Sequence, residues 1–144
     1  EQILYHGLKD VSFFGITECW HYIEQLPTCM PGSDHILNTV RDLTKSSLGR
    51  GRLFVRVALN EGSLHEYLSA LKWNEPLTKK YYHEWSIIRN EEHCGTFFML
   101  VDQLSVVKFS LYLKIKEIGR EEYWDIIPLA RPQIIVNDRL KDPQ

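Results

Sequence analysis

The sequence has no apolar run near the ~20 residues that a helix needs to cross a bilayer. Its N-terminus also lacks the charged stretch followed by an apolar one that marks a signal peptide. Positive charge is not in excess: seventeen Lys and Arg against nineteen Asp and Glu leave a net charge of −2. That balance argues against a dedicated nucleic-acid binder, which would carry a strongly basic face. Cysteine is scarce. Cys19, Cys29 and Cys94 are an odd set without regular spacing, so they read as reduced thiols of a cytosolic protein rather than a disulfide framework. Internal repeats and low-complexity tracts are missing as well.

Catalytic signatures are equally sparse. Zinc needs four converging ligands, usually from C-x2-C or H-x3-H pairs. Here Cys19 and His21 are two apart and diverge on a helix, while His93 and Cys94 are adjacent. There is no G-x-S-x-G elbow and no H-E-x-x-H. The carboxylate pairs Glu91–Glu92 and Glu121–Glu122 are sequence neighbours, which point apart and read as solvated faces. "GRGR" at 49–52 lacks the G-x-x-x-x-G-K-[ST] pattern, and no strand precedes it. Neither an enzyme nor a bound cofactor or metal is expected.

What remains is enough for one domain. The 144 residues are 44% hydrophobic and 12% aromatic, ample material for a core and too apolar for disorder. Helical periodicity dominates. Residues 1–9 read as the end of a helix, and the chain opens at Glu1 without an initiator Met, as a module cut from a longer protein would. Thr17 is placed to cap "ECWHYIEQL". Pro27, Pro31 and Gly32 punctuate a loop, and Ser33 opens a short helix through Ile36, Leu37, Val40 and Leu43. Ser47 is the expected cap of a helix that stops at Gly62. Ser63 with Glu66 forms a capping-box pattern, and Asn74 with Pro76 announces a further helix. From Ser86 to about Val107 the spacing predicts a long helix, central and buried around "CGTFFMLV". "FSLYLKIKEI" alternates like a strand without a partner strand, so a helix or a loop crossing the bundle is expected. A last short helix is expected over 120–127, with 128–144 a tail or linker. The expected fold is all-α, a single bundle of about seven or eight helices.

At about 100° per residue, Leu53, Phe54, Val57 and Ala58 share one face of the helix that follows "GRGR". Arg52, Arg56 and Asn60 form a separate stripe at i, i+4, i+8, which leaves one cationic line open on a mostly buried helix. These arginines either pair with carboxylates inside the bundle or reach an acidic partner. Arg50 and Arg52 at the helix start are the candidates for reaching outward, and Arg56 is the structural one. Basic residues at a helix start also oppose the macrodipole, at ~0.3–1 kcal/mol each.

In order along the chain stand "LYHGLK" (4–9), "CWHYIEQL", "GRGRLFVRVALNEGSLHEYL", "YYHEWSIIRNEE" (81–92) and "FSLYLK" (109–114). The G-R-x-R-x-x-x-R-x-A-L-x-x-x-x-L block, followed by Y-x-x-x-(S/A) and an acidic pair, is specific in combination. From residue 1 to about 115 the chain resembles the RUN domain family, with the helix usually found upstream of the HGL block absent. The resemblance implies a helical module, here 1–127, of a larger cytosolic adaptor that is recruited peripherally to organelle membranes or vesicles. It implies binding to small GTPases of the Rab, Rap or Arf-like groups, or to motor-associated proteins. The positions matching the family's implicated contacts are His6, Arg50 and Arg52, and Lys9 closes the same block as His6. The alternative is a scaffold that binds motor-adaptor or other helical proteins whatever the nucleotide. A third reading, a phosphoinositide surface of Lys79, Lys80, Arg50 and Arg52, would gain only ~1 kcal/mol per basic residue.

Overall fold

The computed structural model describes residues 1–10 and 17–120. Among them are eight helices: α1 (Gln2–Tyr5), α2 (Cys19–Ile23), α3 (Leu26–Cys29), α4 (Asp34–Leu43), α5 (Ser47–Glu61), α6 (Leu64–Trp73), α7 (Glu75–Tyr81) and α8 (Glu91–Leu104). No strand accompanies them among the described residues, only an isolated antiparallel bridge between Leu8 and Tyr82. The all-α expectation holds. The expected 120–127 helix and the 128–144 tail lie, but for Arg120, outside the described residues.

The centre of the bundle is α5, which packs against α2, α4 and α6. Ser46 rather than Ser47 caps it, accepting from the Gly49 N–H at 3.2 Å, and Gly62 ends it in the left-handed conformation at φ 71°. Gly51 allows the close approach of α2, since a Cβ there would stand 2.9 Å from the Cys19 Sγ. Leu53, Phe54 and Ala58 are fully buried, together with Trp20, Tyr22, Ile23, Ile36, Leu37 and Val40. Each large side chain so enclosed contributes about 1.5–3 kcal/mol.

Three local assignments shift. Thr17 does not cap α2: Glu18 holds that position, and the Thr17 hydroxyl donates to the Asp10 carboxylate at 3.0 Å. Pro27 lies in the first turn of α3 rather than in a loop, where its missing N–H costs nothing. Ser33 and Ser63 stand at the predicted cap positions without making a cap bond; the Ser33 hydroxyl donates instead to the Met30 carbonyl at 2.7 Å. Asn74 does cap α7, accepting from the Leu77 N–H at 3.2 Å.

The larger correction concerns α8. It starts at Glu91 under an Asn90 cap, not at Ser86. Residues 83–90 instead turn tightly, with the Ser86 and Asn90 N–H groups donating to the His83 and Ser86 carbonyls. Nor is α8 central. Only Cys94 and Val101 are buried, while Met99, Leu100 and Leu104 are exposed. A helix is enclosed on all sides only if neighbours surround it. Here α5, with its small Gly49 and Gly51, holds the middle, and α8 packs on α6 from outside.

The alternating segment after α8 crosses the bundle as an extended strap. Leu111, Leu113 and Ile115 turn inward while Tyr112, Lys114 and Lys116 face solvent. Its backbone finds partners on the polar stripe of α5. Asn60 bonds both ways with Leu111, donating to its carbonyl at 3.0 Å and accepting from its N–H at 2.7 Å. Arg56 donates to the Tyr112 carbonyl at 3.2 Å, and Arg52 to the carbonyls of Ile118 and Arg120. The stripe expected to stand open is therefore covered, because an extended backbone without a partner strand needs donors and these three side chains supply them.

Candidate functional site

Residues 1–10 wrap onto the loop after α7. Gly7 takes φ 72°, and a Cβ there would sit 2.4 Å from the Ser86 Cβ. The His83 N–H donates to the Gly7 carbonyl at 2.8 Å, and the Lys9 N–H to the Tyr81 carbonyl at 2.7 Å. The buried Tyr82 hydroxyl donates to the Leu4 carbonyl at 2.7 Å. This clasp sets His6 at the surface, where its Nδ1 accepts from the Ile87 N–H at 3.1 Å. The same bond fixes the tautomer, leaving the proton on Nε2. Lys9 spends its ammonium on the Lys79 carbonyl at 2.8 Å.

Beside His6 opens a groove of about 560 Å³, lined by Ile3, His6, Trp85 and Ile87 on one wall and by His93, Phe97 and Leu100 of α8 on the other. Trp85 is 67% exposed. Its indole meets the His6 ring edge-on at 5.3 Å and stacks on His83 at 5.4 Å. Large aromatic side chains held rigid at a surface, next to uncovered apolar ones, are the composition of a protein-binding hot spot. Sequence reasoning found His6 but not the groove, since it enclosed α8 in the core; the cue was that α8 is apolar on nearly every side around "FFMLV", more apolar surface than the neighbours of one helix can cover.

The arginines separate. Arg52 has a side chain 6% exposed and donates its Nε to both oxygens of Glu1 at 3.1 Å, with Nη1 on the Ile118 and Arg120 carbonyls. The expectation that Arg52 reaches outward is corrected: the N-terminal residue and the end of the strap close over it. Arg50 is half-buried. Its Nε donates to the Thr44 carbonyl at 2.9 Å, and its guanidinium lies 6.0 Å over the Trp20 ring. Arg41 of α4 approaches the same ring at 5.7 Å. His6 and Lys9 thus sit with residues 79–87, and Arg50 with α2 and α4. With Arg52 enclosed, the four basic residues of the phosphoinositide reading do not form one exposed cluster; Lys79 pairs loosely with Glu75 at 3.8 Å and Lys80 lies over Tyr81.

Chemistry-bearing groups are dispersed. Among the described residues no three His, Cys, Asp or Glu side chains gather as metal ligands. All three cysteines are free. Burial pushes the Cys19 thiol up to about 12, the direction opposite to that of an activated nucleophile. The Tyr5 phenol, which donates to Glu18, is likewise pushed well above its usual range by burial. No described helix is long and apolar enough to cross a membrane.

Over residues 1–115 the chain matches the family model described as RUN domain. It is 30% identical to Protein RUFY3 of Homo sapiens, over 79% of this chain and 29% of that protein. It is 31% identical to RUN and FYVE domain-containing protein 2 of Homo sapiens, over 85% of this chain and 24% of that one. With RUN and FYVE domain-containing protein 1 of Homo sapiens it shares 33% identity, over 79% of this chain and 19% of the relative. The chain spans less than a third of the length of these relatives. With the motif blocks in order and a helical bundle built around the GRGR helix, the chain belongs to the RUN domain family.

Proposed function

We infer that the chain is a non-catalytic protein-interaction module that takes a small GTPase of the Rab, Rap or Arf-like groups as partner, in an effector or adaptor role in membrane traffic. One observation carries the reading: the open groove beside His6, with the exposed Trp85 on one wall and Phe97 and Leu100 of α8 on the other. Apolar burial there would provide most of the affinity, and the charged residues around it orientation and on-rate. Recruitment to organelle membranes would then come through the partner.

The test is capture of purified GTPases, locked in the GTP or GDP state, by the immobilised chain. The expected result is GTP-preferring capture by at least one of them, weakened about tenfold or more by Trp85→Ala. Because Trp85 is mostly exposed, that variant should melt with the wild type. Equal or absent capture across the panel refutes the GTPase reading.

A second reading has its own support. His93, Phe97, Leu100 and Leu104 follow one another at spacings of 4, 3 and 4 along α8, the seam that a coiled-coil helix accepts. A scaffold for motor-adaptor or other helical proteins would use it. Nucleotide-independent binding of a purified helical adaptor, lost on Leu100→Glu, would favour this reading over the first.

A further inference from the structure

The strap after α8 is an extended segment with no strand beside it. Along residues 108–116 every second side chain is exposed, and these are Lys108, Ser110, Tyr112, Lys114 and Lys116, with half-buried residues between them. Tyr112 is 85% exposed. None of the three lysines has an ion-pair partner among the described residues. The nearby Asp102 carboxylate faces His65 at 3.7 Å instead. One face of the strap is thus basic, regular in spacing and uncompensated.

Its backbone is half engaged. Asn60 holds both main-chain groups of Leu111, and Arg56 reaches the Tyr112 carbonyl. Both main-chain groups of Lys108 and Ser110, and the Tyr112 N–H, have no hydrogen-bond partner among the described residues. Residues 108, 110 and 112 alternate with 111, as the two edges of an extended chain do. Beyond them the Ile115 N–H donates to the Leu113 carbonyl at 3.2 Å, a bend that ends the extended run. A row of open main-chain groups is an edge on which another extended segment can pair. The α5 side chains already hold the strap in place, so little of it remains to be ordered on binding.

We propose that the strap is a strand-addition site for an extended acidic segment of a protein partner. Main chain pairs with main chain over 108–113, and carboxylates at every second residue of the partner meet Lys108, Lys114 and Lys116. Charge selects this occupant. A second copy of the strap would set lysine against lysine across the pair, which is unfavourable, whereas opposite charges there are favourable. A membrane would draw on three lysines only and leave the main-chain edge and the spacing unused. The site is separate from the groove beside His6, which none of these residues line.

The experiment follows the backbone amides of the ¹⁵N-labelled chain during titration with a capped heptapeptide in which glutamate and threonine alternate, glutamate at both ends. Saturable shifts are expected at Ser110 and Tyr112, with their amide exchange slowed by about tenfold or more. A peptide of the same composition with its glutamates consecutive should bind at least about threefold more weakly, because neighbouring residues of a strand face opposite ways. Replacing all three lysines together, Lys108→Gln, Lys114→Gln and Lys116→Gln, should weaken the alternating peptide by about tenfold. These side chains are exposed, so the triple variant should melt within about 2 °C of wild type. Raising NaCl well above physiological strength should weaken binding too.

No saturable shift, or binding that leaves amide exchange at Ser110 and Tyr112 unchanged, would overturn strand addition. Equal affinity for the consecutive peptide would overturn it as well, since attraction between net charges would then suffice. Unchanged affinity in the triple variant would remove the lysines from the site; if that variant does not fold, Lys114→Gln alone decides, with an expected loss of about twofold. Tighter binding to phosphatidylserine vesicles than to the alternating peptide would overturn the assignment to a protein segment. The titration contains no GTPase, so a silent GTPase panel leaves its result intact. A peptide that fails to bind leaves the groove reading equally intact.

Discussion

Arg52→Met is the sharpest perturbation the fold offers. Methionine keeps most of the aliphatic volume and removes only the guanidinium. Four acceptors then lose their donor: both oxygens of Glu1 and the carbonyls of Ile118 and Arg120. Ile118 is 2% exposed, so its carbonyl has no easy route to water, and an unsatisfied buried acceptor costs about 1–3 kcal/mol. The Glu1 side chain is 17% exposed and regains some hydration, so its loss falls at the lower end of the ~1.5–3 kcal/mol for a hydrogen bond to a charged group. Together these give about 3 kcal/mol, at the foot of the range for breaking a buried ion pair. For a chain of this length that corresponds to a melting temperature lower by about 10 °C.

Thermal unfolding followed by circular dichroism measures it, with urea titration as a check. Glu1→Gln in a double-mutant cycle should return a coupling of about 1–2 kcal/mol. Arg52→Lys should recover less than half of the loss, since a single ammonium does not reproduce a fork that meets a carboxylate and two carbonyls. Arg50→Gln, by contrast, should melt close to wild type. If Arg52→Met melts within about 2 °C of wild type, the assignment of Arg52 as the clamp on the strap is wrong and its guanidinium is available to a partner after all.

Gly7→Ala forces a side chain into the left-handed region, 2.4 Å from the Ser86 Cβ; a loss of about 3 kcal/mol in urea unfolding is expected, split between backbone strain and overlap. Asn60→Ala removes both bonds to Leu111 and should cost about 2 kcal/mol, with amide exchange over 108–115 accelerating before that of α5. Above pH 9 stability should fall. Burial raises the Cys19 thiol from 9.0 to about 12, so the unfolded chain gives up this proton first and binds fewer protons than the native one. The sign is a loss of ~1.4 kcal/mol per pH unit for this group through that window, and Cys19→Ala should flatten the slope.

Elements set by near neighbours could be read from the sequence. The stop of α5 at Gly62 and the start of α7 at Asn74 depend on hydrogen bonds within a few residues. The alternation of the strap and the i, i+4, i+8 stripe of α5 were each visible, yet their match was not, because the contacting residues are 51 to 68 positions apart. Ser86–Arg89 illustrates the opposite failure. Its apolar neighbours continue the helical pattern, but the Gly7 clasp needs a turn there, and a contact across some eighty residues outweighs local propensity.

Arg50 and Arg52 lie two residues apart on one helix and point about 200° apart around it. By itself the amino-acid order determined the all-α character, the stop of α5 and the start of α7, the absence of recognisable catalytic motifs and the polar stripe along α5. Only the tertiary structure decided which of these arginines is sealed under Glu1 and the strap, and which is held over an indole with donors to spare. It also decided that α5 rather than the more apolar α8 takes the centre. Capping and periodicity act within one or two turns, whereas enclosure is a property of whatever distant segment arrives to cover a surface.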